Sequence, residues 1–233
     1  MLDGAHRSET HQVVVIGAGQ AGLSVSQALQ KHGIRPLVLE KNRIGHAWDQ
    51  QRWDSFCLVT PNWQCQLPDF PYDGDQPQGF MAKTEIVAFL RRFAQHVGAD
   101  VQEGVAVQRL TQNGNGYRLL TSEGEVRAQQ VVVAIGGYHT PRRHPLAERL
   151  PTDLLQLDAR DYRNPESLPE GPVLVVGSGQ SGSQIAEDLF LSGRTVHLSV
   201  GSAPRSPRQY RGRDVVDWLD RSEERRVGKE CER

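Results

Sequence analysis

The sequence predicts an α/β chain with two Rossmann-like dinucleotide-binding domains, the second incomplete. Two observations carry that expectation. Residues 13–22 read VVVIGAGQAG and residues 173–182 read VLVVGSGQSG, identical at six of ten positions at an offset of 160. Each is a short apolar run that ends in GxGxxG, followed by a stretch with helical spacing and then a second strand-like run. Strand, glycine turn, helix and strand in that order make a βαβ unit that seats a pyrophosphate on a helix N-terminus. The offset is far too long for a solenoid repeat.

In the first unit the expected elements are a strand over 12–16, the turn 17–22, a helix over 20–32 and a strand over 36–40. Leu23, Val25, Ala28 and Leu29 mark the apolar helix face, and His32-Gly33 supplies the stop. Gly17 permits the tight turn, Gly19 lets the backbone approach a pyrophosphate, and Gly22 lets helix and strand pack closely. Gln20 and Ala21 lie between them and complete the candidate cradle. Glu40 ends the second strand, 18 residues after Gly22. A carboxylate there accepts hydrogen bonds from ribose hydroxyls and disfavours a 2′-phosphate. Lys41, beside it, is taken with the site.

The second unit repeats the logic with Gly177, Gly179, Gln180, Ser181 and Gly182. Its strands are expected over 172–176 and 195–200, and its helix, over 180–192, carries Ile185, Leu189 and Phe190. The second strand ends in Ser199-Val200-Gly201-Ser202 with no carboxylate, and Arg205, Arg208, Arg211 and Arg213 follow. Loss of the acid and gain of guanidinium groups favour a 2′-phosphate, and so NADPH over NADH, with Arg205 and Arg208 as candidate contacts.

Between the units, residues 43–81 read as loop. Thr84 is the expected N-cap of a helix to about Val97, with Ile86, Phe89, Leu90, Phe93 and Val97 on one face. Alternating runs at 101–110, 115–121 and 125–128 suggest a small antiparallel sheet. Val131 to Ala134 reads as a buried strand. Residues 141–170, rich in proline, read as a linker. The expected domains are therefore 1–140, 171–220 and a tail at 221–233. In that tail, RSEERRVGKEC matches the translation of a common DNA-sequencing adapter. It is expected to be artefactual, with the natural chain continuing past Asp220.

Composition excludes several classes. Lys plus Arg is 27 and Asp plus Glu is 28, a net charge of −1, which argues against a nucleic-acid binder. No apolar run approaches the roughly 18 residues that span a bilayer. The three cysteines, Cys57, Cys65 and Cys231, form no CxxC pair and no disulfide framework, so a cytoplasmic protein is expected. Cys57 and Cys65 read as packing residues rather than a redox pair. No metal-ligand spacing and no GxSxG is present.

The stretch from Ile44 to Tyr72, IGHAWDQQRWDSFCLVTPNWQCQLPDFPY, resembles the flavin-containing monooxygenases, and the resemblance covers about residues 12–220. It implies FAD on the first glycine turn and NADPH on the second. Gly45-His46-Ala47-Trp48 resembles the segment that runs along the flavin, which brings in Trp48. Thr60-Pro61-Asn62-Trp63 brings in Asn62 as the flavin-ring contact. Ala134-Ile135-Gly136 stands where the family usually has Ala-Thr-Gly, which brings in Gly136. Asp158 stands where the family fingerprint has a His, with Tyr162-Arg163-Asn164-Pro165 retained. The resemblance implies hydride transfer from NADPH to flavin, a C4a-hydroperoxide formed with O2, and transfer of one oxygen atom to a small organic substrate. Two alternatives remain: a flavoprotein reductase without oxygen transfer, and an inactive fragment with exposed apolar surface.

Overall fold

The computed structural model describes residues 10–138, 140–202 and 207–221. The chain divides into two compact units, Met1–Glu170 and Gly171–Arg233.

The first unit is built on one six-stranded sheet. Its strands are β1 (Thr10–Ile16), β2 (Leu37–Glu40), β3 (Asp100–Glu103), β4 (Val107–Asn113), β5 (Gly116–Thr121) and β6 (Gly124–Val133), in the order β3-β2-β1-β6-β5-β4. β1 pairs in parallel with both β2 and β6, and β2 with β3. Val13, Val14 and Val15 of β1 are wholly buried, which is what a central parallel strand covered on both faces requires.

The alternating region does not form a sheet of its own. Its first run breaks at Gly104 into β3, a parallel edge strand, and β4. The expected buried strand at 131–134 is the far end of the ten-residue β6. Residues 124–128 of β6 pair antiparallel with β5, while residues 127–133 pair in parallel with β1. One strand thus fuses the antiparallel meander to the parallel sheet. Val131 and Val132 are half-buried and Val133 is exposed. Under the sheet, Val14, Leu37, Leu39, Val105, Leu119 and Ala128 form one apolar cluster that crosses both halves.

Helix α1 (Gln20–Lys31) follows β1 as expected, but its buried face is Gly22, Leu23, Ser26 and Gln27, and Ala28 is exposed. The small pair Gly22 and Ser26 sets this face. Ser26 Oγ–H donates back to Gly22 O at 2.7 Å, so neither side chain holds the helix off the sheet. Residues 43–81 are not all loop: they contain the short helix α2 (His46–Gln50) and a 3-10 turn at Asn62–Gln64.

Helix α3 (Lys83–Val97) buries every residue expected on its apolar face. It begins one residue before Thr84, and Thr84 is not the cap. Ala82 takes that place, and the Glu85 carboxylate accepts the Ala82 N–H at 2.8 Å. The turn Leu67–Phe70 ties α1 to α3: Asp69 pairs with Lys31 and accepts from Gln27, while Phe70 packs on Phe89, Phe93 and His96.

In the second unit, β7 (Val173–Val176), α4 (Gln180–Leu191) and β8 (Val196–Ser199) make a βαβ unit with parallel pairing of β7 and β8. A hairpin, β9 (Gln209–Tyr210) and β10 (Arg213–Asp214), and helix α5 (Val215–Arg221) follow. α4 buries Ile185 and Leu189, but Phe190 is exposed, as are Leu174, Val176 and Val200. Residues 222–233, which include most of the expected tail, lie outside the described residues, as does Arg205.

Candidate functional site

Within each unit the glycine turn stands at the carboxyl end of its first strand, and the hydrogen bonds of the two repeat at the offset of 160. Gly17 N–H donates to Leu39 O at 2.8 Å, and Gly177 N–H to Ser199 O at 3.0 Å. Leu23 N–H reaches Gly19 O as Ser183 N–H reaches Gly179 O. At the helix ends, Gly33 N–H bonds Gln30 O and Gly193 N–H bonds Phe190 O. Gly17 and Gly177 sit at φ 103° and 105°, a region that excludes ordinary side chains.

The sterics of each turn separate closeness from access. A Cβ on Gly22 would lie 1.9 Å from Gly17 O, and one on Gly182 would lie 1.9 Å from Gly177 O. These glycines let helix and turn touch. A Cβ on Gly19 or Gly179 would meet nothing within 4 Å, so those two positions face open space. Gly19 and Gly179 are also the helix N-caps, with no side-chain cap, and neither α1 nor α4 has an acid in its first turn. Gln20, Ala21, Gln180 and Ser181 open the two helices and are exposed. Each helix therefore presents its N-terminal N–H groups without a competing carboxylate, the arrangement that receives an anion.

Glu40 is where the two turns part. Its Oε2 accepts the Ala18 N–H at 2.9 Å and its Oε1 the Asn42 N–H at 2.9 Å. A carboxylate has about four acceptor sites, so both oxygens keep capacity for ribose hydroxyls. The sequence reading missed Ala18 and Asn42 as its partners. By the offset of 160, shared by the bonds to Leu39 and Ser199, the counterpart of Glu40 is Val200. Lys41 is exposed beside Glu40. Gly136, at φ 79°, follows the end of β6, where Ala134 N–H bonds Ile16 O beside the first turn.

Trp48 lies on α2, with its ring 5.7 Å from Phe56 and the Arg52 guanidinium 5.1 Å from its centroid. Burial lowers the Arg52 pKa, and the two aromatic faces compensate part of the lost hydration. Asn62 is buried in a different setting. Its backbone N–H bonds Gly79 O and its Nδ2 donates to Gln76 O at 2.9 Å, so it braces the loop at 76–79. Its Oδ1 is buried without a partner. Arg208 is engaged within its own unit, with Nε 2.6 Å from the Asp214 carboxylate. Burial pushes the Cys65 thiol up, away from the thiolate that disulfide exchange needs.

A family model described as "Pyridine nucleotide-disulphide oxidoreductase" matches residues 14–230, which takes in both glycine turns. The chain belongs to the pyridine nucleotide-disulphide oxidoreductase family. It is 38% identical over 209 residues to an uncharacterized oxidoreductase CzcO-like protein of Geobacillus kaustophilus (strain HTA426), covering 89% of this chain and 59% of that one. It is 27% identical to a flavin-containing monooxygenase, FMO GS-OX-like 7, of Arabidopsis thaliana, covering 90% of this chain and 53% of that one. Among solved structures, a flavin-containing monooxygenase from Stenotrophomonas maltophilia superposes with a TM-score of 0.78 at 26% identity, covering 92% of this chain and 64% of that one. The family is thus shared with monooxygenases, as the Ile44–Tyr72 stretch implied, and the chain spans about three fifths of its bacterial relatives' length. Among the described residues no cluster of metal-ligating side chains occurs, and no helix is long and apolar enough to cross a membrane.

Proposed function

We propose that this chain is the cofactor-binding part of a flavin-dependent monooxygenase. It holds FAD at the first glycine turn and NADPH at the second, and it serves the transfer of one oxygen atom from O2 to a small organic substrate. One observation carries the reading. At each turn the second glycine faces open space before an uncapped helix N-terminus, while the third is closed against backbone. A pyrophosphate fits that open side.

Bound there, a flavin supplies two-electron chemistry: it accepts a hydride from a nicotinamide and reacts with dioxygen. The chain's own part is to bind and orient. The N–H groups of Gln20, Ala21 and Gly22 donate to the FAD pyrophosphate, and Glu40 accepts from the ribose while holding the turn through Ala18. Lys41 and Gly136 border that cradle. Trp48, tilted against Phe56 with the Arg52 guanidinium over both rings, offers an apolar wall, and the unpartnered Oδ1 of Asn62 offers one buried acceptor to the flavin ring. At the second turn, Gly177, Gly179, Gln180, Ser181 and Gly182 receive the NADPH pyrophosphate. Val200 in place of an acid removes the repulsion that a 2′-phosphate meets beside a carboxylate. Arg205 remains a candidate for that phosphate; Arg208 would have to share its guanidinium with Asp214.

The family description favours a second reading, a flavoprotein reductase without oxygen transfer. The absence of a CxxC pair, with burial pushing up the thiol of the half-buried Cys65, counts against disulfide exchange. One experiment separates the readings: FAD uptake by absorbance, NADPH against NADH consumption, and isotopically labelled dioxygen with candidate amines, sulfides and ketones. Label in the product supports the monooxygenase. NADPH consumption with all dioxygen reduced to peroxide supports the reductase, and absence of FAD uptake refutes both.

A further inference from the structure

The β4–β5 hairpin carries two Asn-Gly pairs in succession, Asn113-Gly114 and Asn115-Gly116. β4 ends at Asn113 and β5 begins at Gly116, and these two residues are in register, so Gly114 and Asn115 form a two-residue loop. Gly114 sits at φ 59°. Among the described residues only Asp69 and Arg211 join the glycines at positive φ, so Asn115 does not. Glycine in the left-handed region followed by an ordinary residue is the pattern of a type II′ hairpin turn. Asn113, Gly114 and Asn115 are all exposed, and Gly116 is half-buried.

An Asn side chain followed by glycine is open to attack by the next backbone nitrogen, because glycine has no Cβ to shield that nitrogen. The following amide gives its proton to hydroxide. Its nitrogen then bonds to the Asn Cγ, and ammonia leaves as a five-membered succinimide closes. Water opens the ring at either carbonyl, giving aspartate or isoaspartate. The net change is amide plus water to carboxylate plus ammonium, with no oxidation or reduction. The first step needs an N–H that hydroxide can reach, and the two Asn-Gly pairs differ there. Among the described residues the Gly114 N–H and the Asn113 side chain have no hydrogen-bond partner, and a Cβ on Gly114 would meet nothing within 4 Å. Gly116 instead belongs to the β4–β5 ladder opposite Asn113, and a Cβ on it would lie 2.8 Å from Ala128 O of β6. Swinging the Gly116 nitrogen onto Asn115 Cγ requires β5 to leave its neighbours. Closing the ring at Asn113 disturbs the peptide that leads out of the ladder into the loop.

We propose that Asn113 is a site of spontaneous covalent modification: its side-chain amide converts to aspartate and isoaspartate through a succinimide with the Gly114 nitrogen, and Asn115 is spared. The inference stands apart from the FAD and NADPH reading and holds whichever cofactor the chain takes. The products act locally. Either acid adds a negative charge to the exposed end of β4. Isoaspartate also routes the backbone through Cβ, which lengthens the last residue of β4 and breaks its register with Gly116. Further along β5, Leu119 is buried in the apolar cluster with Tyr117 packed against it, so the rest of the strand stays anchored.

The test incubates the folded wild-type chain in buffers of rising alkalinity and follows the hairpin by peptide mass mapping, with electron-based fragmentation to tell isoaspartate from aspartate. Asn113→Gln, Asn115→Gln and the wild type in denaturant are run beside it. The mass gain of amide-to-acid conversion is expected at residue 113 at least about ten-fold faster than at residue 115, because opening β5 costs more than opening the loop. The rate is expected to rise in proportion to hydroxide, with isoaspartate among the products. Asn113→Gln, whose longer side chain closes a larger ring slowly, is expected to remove the fast reaction, and Asn115→Gln to leave it unchanged. In denaturant the two asparagines are expected to react within about three-fold of one another, since the hairpin no longer protects either. No conversion at residue 113 in the folded chain overturns the proposal, and so does conversion at residue 115 that is as fast. Aspartate without isoaspartate overturns the succinimide route. The same preference for residue 113 in denaturant places the selectivity in the sequence and overturns the structural argument.

Discussion

The Glu40 carboxylate accepts the backbone N–H of Ala18 at 2.9 Å, which binds the end of β2 to the turn between β1 and α1. The same carboxylate accepts the Asn42 N–H. Glu40 thus shapes the cradle as well as lining it. Glu40→Ala leaves both donors without their partner and is expected to lower stability by about 1–3 kcal/mol. Glu40→Gln keeps one acceptor and falls between. Thermal melts read the stability, and FAD titration is expected to show weakening in the same order.

The third glycines predict a split between the two turns. Gly22→Ala drives a methyl onto Gly17 O, so α1 must move off the sheet. Lower melting temperature and loss of FAD are expected together. Gly182→Ala makes the same clash with Gly177 O in the second unit. It is expected to abolish NADPH consumption while FAD uptake, read by flavin absorbance, is retained.

Val200 occupies the place in the second unit that Glu40 holds in the first. Val200→Glu is expected to turn the preference toward NADH by about ten-fold or more, because the new carboxylate repels a 2′-phosphate and accepts from a free ribose hydroxyl. The ratio of kcat/KM for NADPH and NADH is the readout.

Asp54 gives a pH dependence with a definite sign. Lys83 of α3, and Asn164 and Arg163 of the segment 160–167, are the groups that act on it. The hydrogen bonds from Lys83 and then Asn164 are the main causes of its lowered pKa. A depressed folded-state pKa contributes stability that is full above the unfolded carboxylate value of about 4 and fades as pH falls through the lower folded value. The difference in melting temperature between wild type and Asp54→Asn is therefore expected to be constant above about pH 5 and to close below about pH 4.

Both βαβ units were legible because their signals are local. The glycine spacing, the apolar runs and the missing acid at the end of β8 all lie within about thirty residues of one another, and the offset of 160 survives into individual hydrogen bonds. What was not legible depends on distant partners. β6 reads as two strands because its antiparallel pairing with β5 gives way to parallel pairing with β1 partway along. The buried face of α1 turns toward Gly22 and Ser26 because a close approach rewards small residues, which an apolar pattern does not record. Residues 160–167 read as a linker because the bonds that Asn164 and Arg163 donate to Asp54 and Gln50 cross more than a hundred residues. The pairing of Arg208 with Asp214 was likewise not legible, because nothing in the sequence says that the two side chains meet.

FAD titration of the wild-type chain beside Gly19→Ala, with ADP as competitor, tests the central claim most directly. A methyl at Gly19 enters space that the fold leaves open, so this variant is expected to melt with the wild type. Because that space is where the pyrophosphate sits, FAD is expected to bind the wild type, to be displaced by ADP, and to bind the variant at least about ten-fold more weakly. Equal FAD affinity in the two chains, or a folded wild type indifferent to FAD, contradicts the account.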